Sequence, residues 1–416
     1  MPLFSVSPAS SRPPVVPHLL IWGLAVGQMV SWGSLYYSLA VVTLPMEEEL
    51  GWSKVEINAG LTVNLLVASI MALPIGALID RFGGYWFMVM GATSGAILLL
   101  IWSQTSSLPV FYAVWACLGL VHACTLSESA YNIVVSNLPD HRRGITMISL
   151  LSGFSSSTAI PFLTLFSETL GWRPAIMIVA AIHFLVPGLV SAWVLRGIRG
   201  GSRKPDAGAV APAPLRLPLR QILSYRIFWA LAAAFSVHTF VGNGITFHTI
   251  PLLLENGYAM SLIVGIMALH GPSQVLARFV LLMVGTRIST AGFGRAAFGM
   301  ASLGVALLIL SAWWGVPTLM VFAVLYGMAT GMLTLVRANS VIEYLGAYGY
   351  GAATGALTMA IALPRTMAAV VFALLWETTQ SYAPVLWIAL LVSCCGLAAF
   401  WLATVWNSRR EPIKEL

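Results

Sequence analysis

Three arginines and one glutamate stand inside long apolar stretches of the chain: Arg278, Arg337, Arg365 and Glu128. A charged side chain in hydrocarbon costs roughly 3 kcal/mol even on insertion scales, so each must face a partner or a watered interior. Arg278 is the most informative. His270, Gln274 and Arg278 recur at four-residue intervals, a drift of about 40° per step on a helix, which predicts one polar stripe on an otherwise apolar element. A guanidinium captures a carboxylate through a planar, bidentate fork. The spacing is therefore suited to anion recognition; an internal ion pair, with Glu128 as the available acid, is the alternative. Arg365 follows Pro364, which frees a backbone carbonyl, and it either adds a second cation to the same cavity or bonds the freed carbonyl. Arg337, with Glu343 six residues on, reads as a gate or loop ion pair. Glu128 shares a helix face with Thr125 and Asn132 and is either a proton-coupling carboxylate or a fixed counter-ion to Arg337 or Arg365.

The histidines 122, 183, 238, 248 and 270 have no metal-site spacing, and Cys117, Cys124, Cys394 and Cys395 read as small packing residues. No cofactor is implied. Asn243, between His238 and His248, and the aromatic run Trp32, Tyr36 and Tyr37 are candidates for lining a substrate path. Gly351 and Gly355 have the small-residue spacing that permits close helix approach.

The elements that must hold these residues follow from composition. The chain has 416 residues, 59% apolar and 8% charged, where a soluble domain carries about 25% charged side chains. That excludes a soluble globular enzyme. Apolar runs long enough to span a bilayer fall at 18–44, 58–79, 86–103, 109–136, 145–166 and 172–195, and again at 227–254, 262–284, 296–313, 317–336, 350–375 and 384–405. Between the two sets lies a linker rich in glycine, proline and arginine. The predicted organisation is an N-terminal bundle over residues 1–195, a linker over 196–226 and a C-terminal bundle over 227–416.

Of the 21 basic residues, sixteen fall on the side shared by the two termini and the linker, and only Lys54 and Arg173 on the other. The positive-inside rule makes that side cytoplasmic. Glu47, Glu48, Glu49, Glu56, Glu168, Glu255 and Glu377 lie on the opposite face, so topology accounts for the net charge of +7, and no nucleic-acid partner is needed.

A six-plus-six layout with a cytoplasmic linker is that of two parallel repeats around a midplane site. The run Gly76-Ala77-Leu78-Ile79-Asp80-Arg81-Phe82-Gly83-Gly84 resembles the G-x-L-x-D-R-x-G loop of the major facilitator superfamily, although Tyr85 and Trp86 stand where basic residues usually follow. Gly171-Trp172-Arg173 fits the same superfamily. The resemblance implies an all-α membrane protein of twelve transmembrane helices in two pseudo-symmetric six-helix bundles, with Asp80 and Arg81 in a gating loop. The fifth span, around Ser152 to Pro161, lacks the G-P-x-x-G-G run usual in proton-driven drug exporters. With Tyr36-Tyr37, Pro45, Leu50-Gly51-Trp52-Ser53, Pro139 to Gly144 and Arg278, the chain looks like the monocarboxylate porter and oxalate:formate antiporter branch. There an arginine at the corresponding place meets the substrate carboxylate. A helix 1 lysine found in some members is absent, so their coupling mechanism does not transfer.

The function so implied is secondary transport of a small organic anion by alternating access across a bacterial-type inner membrane, with protons as one possible driving partner and a monomer as the working unit. Two alternatives remain open at this level. One is export of a neutral or cationic drug-like or arsenical compound; the other is a receptor or scaffold that does not transport.

Overall fold

A computed structural model of the chain describes residues 17–198, 219–347 and 349–408. It is all-helical. Twelve helices are long and apolar enough to cross a membrane: α1 (Pro17–Leu50), α2 (Lys54–Phe82), α3 (Tyr85–Gln104), α4 (Leu108–Asn137), α5 (His141–Leu170), α6 (Trp172–Gly197), α7 (Arg226–Glu255), α8 (Met260–Val284), α9 (Thr290–Trp314), α10 (Val316–Leu345), α11 (Tyr350–Thr379) and α12 (Tyr382–Ser408). Each apolar run predicted from the sequence lies inside one of them. The helices overrun the apolar stretches because capping chemistry, and not hydropathy, sets their ends. Ser53 and Glu56, for instance, close a reciprocal capping box at the start of α2. A short helix, Leu219–Ser224, precedes α7, and most of the predicted linker lies outside the described residues.

Four of the first six helices are interrupted, whereas α2, α3 and the last six are continuous. α1 carries a π-helical turn at Gly33–Tyr37, and α6 carries one at Phe184–Val190, around Pro187. α4 is broken at Leu126, whose backbone is extended (φ −84°, ψ −166°), and α5 kinks at Gly153 and Phe154, between Ser152 and Ser155. Breaks of this kind are tolerated at membrane depth where the freed backbone groups face protein or a watered cavity.

The halves meet through α2 on α11 and α5 on α8. At the crossing of α2 and α11 the backbones touch. A Cβ on Gly76 would strike the Gly351 carbonyl, and one on Gly355 would lie 2.5 Å from Leu73 Cα. The halves are hydrogen-bonded at the end that carries the chain termini. Asp80 accepts the backbone N–H groups of Gly351 (3.1 Å) and Ala352 (2.9 Å), capping the N-terminus of α11. The Asn132 side chain donates to the same carboxylate at 2.8 Å, and Arg142 Nη2 donates to the Ile288 carbonyl at 3.0 Å.

Among the described residues no hydrogen bond joins the halves at the opposite end. The apolar core follows the same division. One buried cluster runs from Leu20, Ile133 and Ile148 into the second half, while a separate one around Leu39, Trp102 and Trp115 stays within the first. The structure is thus closed at the terminus-bearing end.

Gly355→Val should prise that seal apart, since overpacking a close contact costs about 1–3 kcal/mol. A lower unfolding temperature, together with faster labelling of a cysteine placed at Ser69 from the terminus-bearing side, is the expected result.

Candidate functional site

A cavity of about 360 Å³ lies between the halves, walled by α1, α2, α4 and α5 on one side and by α7, α8, α10 and α11 on the other. Arg278, Arg337, Arg365, Gln274, Tyr37 and Glu128 all line it.

Arg278 is 9% exposed. It reaches across the interface to α5, where Nη1 donates to the Ser149 carbonyl at 3.0 Å. The kink in α5 makes this possible, because a Cβ at Gly153 would sit 2.6 Å from Nη1. Its Nε has no hydrogen-bond partner. The carbonyl offers a dipole and no charge, so Arg278 keeps its positive charge uncompensated at the cavity wall.

Gln274 shares that wall, as do Gly271 and Val275. His270 does not line the cavity. Its Nε2 is 3.4 Å from Thr330 Oγ1 and its ring faces Tyr326 on α10. Two four-residue steps turn a helix about 80°, enough to carry His270 off the face that Arg278 occupies. Glycines at 327 and 331 let α10 lie against the α8 backbone there.

Arg365 lines the cavity from α11 and, among the described residues, its side chain makes no ion pair or hydrogen bond. The backbone around it is held from α7. Pro364 has no N–H to give the Ala360 carbonyl, and Ser236 Oγ donates there instead, at 3.4 Å. Asn243 Nδ2 donates to the Arg365 carbonyl at 3.1 Å. His248 contacts the Ala369 carbonyl through Nε2 at 3.0 Å and Tyr382 through Nδ1 at 2.9 Å. Asn243 therefore supports the helix behind the cavity and is not part of its lining.

Glu128 sits in the first turn of the second half of α4, Ser127–Asn137. The break at Leu126 gives it a helix N-terminus, where a carboxylate is favoured. Its Oε1 lies 2.7 Å from Arg337 Nη2, an ion pair that joins the two halves. Arg337 thus pairs across the interface with Glu128, and not with Glu343 in its own helix. The carbonyls freed by the break are taken up by side chains: Thr125 receives Gln28 Nε2 of α1 at 2.5 Å, and Ala123 receives Ser129 Oγ at 2.7 Å.

Tyr37 reaches the cavity from the π-helical turn. Tyr36 packs edge-on against Trp32 and Tyr37 and is not on the wall. Asp80 holds the N-terminus of α11, as described, while Arg81 is exposed and lies over the Phe82 ring at 5.0 Å.

The cavity also contains residues that charge patterns do not single out: Trp32, whose Nε1 donates to Ser127 Oγ at 3.2 Å, His122, Tyr131, and the α5 serines 149, 152 and 156. One sequence signal bears on them: Ser149, Ser152, Gly153 and Ser156 have helical spacing.

The cavity wall carries three guanidinium groups and one carboxylate, and the carboxylate is paired with Arg337. That leaves Arg278 and Arg365 without an acidic partner among the described residues. Either guanidinium can bind an anion in the cavity.

The chain was compared with known proteins. It is 20% identical over 244 residues to an uncharacterized transporter, YybO, of Bacillus subtilis (strain 168), a match covering 54% of each chain; the chain thus spans about half the length of this curated relative. Among solved structures it superposes on the fucose:proton symporter FucP of E. coli with a TM-score of 0.71 at 13% identity, covering 95% of this chain and 100% of that one. FucP in the outward conformation gives the same TM-score at 12% identity with the same coverage. These likenesses establish the fold. The Major Facilitator Superfamily model matches residues 24–369, and on that match over most of its length the chain belongs to this superfamily of membrane transporters.

Proposed function

We propose that the protein is a secondary transporter of a small organic anion bearing a carboxylate, working by alternating access between its two halves. The observation that carries this reading is the pair of guanidinium groups, Arg278 and Arg365, lining the cavity with no acid among the described residues to neutralise them. A cationic cargo is repelled by such groups and a neutral one leaves their charge unmatched, so the cavity favours the anion reading over drug export. The likeness to the monocarboxylate porter and oxalate:formate antiporter branch belongs to the same proposal.

Residues 1–195 and 227–416 are then the moving bodies, and 196–226 joins them. With the termini cytoplasmic by the positive-inside rule, the state described here is closed inside, and substrate arrives from outside. Asp80 at the N-terminus of α11 and the Glu128–Arg337 bridge hold that closure, and both must release for the opposite state to form. A proton taken up by Glu128 would remove the bridge, which is how coupling could enter.

Uptake into proteoliposomes tests the reading. A carboxylate should be accumulated or exchanged while its neutral amide is not; equal flux of the two would remove the anion assignment. Orientation is tested separately by membrane-impermeant thiol labelling. Ser202→Cys should react only from the cytoplasmic side and Glu48→Cys only from outside, and the reverse pattern would invert the topology.

A further inference from the structure

We propose that the anion is polyhydroxylated, a carboxylate of the sugar-acid type and not a simple fatty acid or a short diacid. This rests on the anion reading above and adds the chemistry of the rest of the molecule. Five hydroxyls on the cavity wall spend their protons on their own helices. Ser69 Oγ donates to the Leu65 carbonyl at 2.7 Å, Ser129 to Ala123 at 2.7 Å and Ser152 to Ser149 at 3.0 Å. Thr239 donates to Phe235 at 2.6 Å and Thr334 to Gly331 at 2.8 Å. A hydroxyl whose proton is committed offers only lone pairs to the cavity. These acceptors face the cavity from α2, α4, α5, α7 and α10, beside the Gln274 amide, which both donates and accepts.

A carboxylate has no donor to give such a wall. Its needs are met by the guanidinium groups of Arg278 and Arg365 on the cavity wall. The acceptors call for donors elsewhere on the substrate. An ammonium would supply them, but two uncompensated guanidinium groups oppose a second cation. Neutral O–H groups satisfy both conditions.

Size agrees. The cavity holds about 360 Å³, the share of roughly a dozen waters at about 30 Å³ each, so a two-carbon diacid would leave most of it filled with water. A site built to pair substrate hydroxyls rejects analogues that lack them far more strongly than a methylene-sized pocket rejects a misfit.

Thermal unfolding of the detergent-purified full-length protein tests this with matched probes at equal ionic strength. D-gluconate, D-galactonate and D-glucuronate carry charge and hydroxyls, hexanoate carries charge alone, and D-glucose carries hydroxyls alone. Ligands of the folded state raise the midpoint by mass action. At least one of the three sugar acids should bind at least tenfold more tightly than hexanoate, and D-glucose should be weaker still.

Hexanoate equal to or better than all three sugar acids would overturn the hydroxyl inference while leaving the anion reading intact. D-glucose equal to the best sugar acid would overturn the anion reading itself. No shift with any probe would overturn the sugar-acid class. As a second measure, Ser152→Ala and Thr239→Val should each reduce the ratio of sugar-acid to hexanoate affinity several-fold, and a ratio unchanged in both variants would count against the proposal.

Discussion

Arg278→Ala is expected to weaken binding of the anionic substrate by one to two orders of magnitude while the protein still folds. A charge-assisted hydrogen bond is worth about 1.5–3 kcal/mol, and each 1.4 kcal/mol is tenfold in affinity. Among the described residues the guanidinium donates to the Ser149 carbonyl and pairs with no carboxylate, so truncation leaves no carboxylate unpaired and should be tolerated by the fold. Arg278→Lys should restore binding only in part: it returns the charge but not the fork, and a compact ammonium cannot reach the carbonyl and a carboxylate together in the same planar geometry. Titration of binding in the two variants checks this. An alanine variant that is folded and binds with native affinity would make the residue structural.

The Glu128–Arg337 bridge should produce the second large effect. The two side chains are 30% and 27% exposed and lie 2.7 Å apart. Removing one partner of a buried pair costs about 3–5 kcal/mol, and partial exposure brings the expectation for Glu128→Gln down to about 1–3 kcal/mol. The double variant Glu128→Gln with Arg337→Gln should be more stable than the sum of the single losses implies, giving a coupling energy of about 1–2 kcal/mol in a double-mutant cycle. Because the bridge crosses the interface, its loss should also favour opening at the terminus-bearing end. If Glu128 also carries the coupling proton, Glu128→Gln should abolish proton-driven accumulation and leave substrate exchange intact. Unchanged accumulation would confine it to the counter-ion role.

The sequence shows the frame of this molecule well and its site in part. Hydropathy places all twelve helices, since an apolar run of about 20 residues has few other uses. Gln274 and Arg278 share a wall because four residues nearly complete a turn, whereas His270, a further four residues back, has drifted toward α10. The choice between Arg337 and Arg365 as partner of Glu128 is set by a contact between residues 209 apart in the chain, which no local pattern encodes. Asn243 is similar: its destination is a backbone carbonyl on α11, and a polar residue in mid-span does not say whether it faces a ligand or a neighbouring helix. The break at Leu126 is hidden from hydropathy because one extended residue does not change an average.

The central claim is that an anion binds in the cavity lined by Arg278 and Arg365. Titration of the purified wild-type protein with a carboxylate and with its isosteric amide, repeated on the variant carrying both Arg278→Ala and Arg365→Ala, tests it most directly. The carboxylate alone should bind the wild type, and the double variant should bind neither compound measurably. Equal binding of the amide, or native carboxylate affinity in the folded double variant, would contradict it.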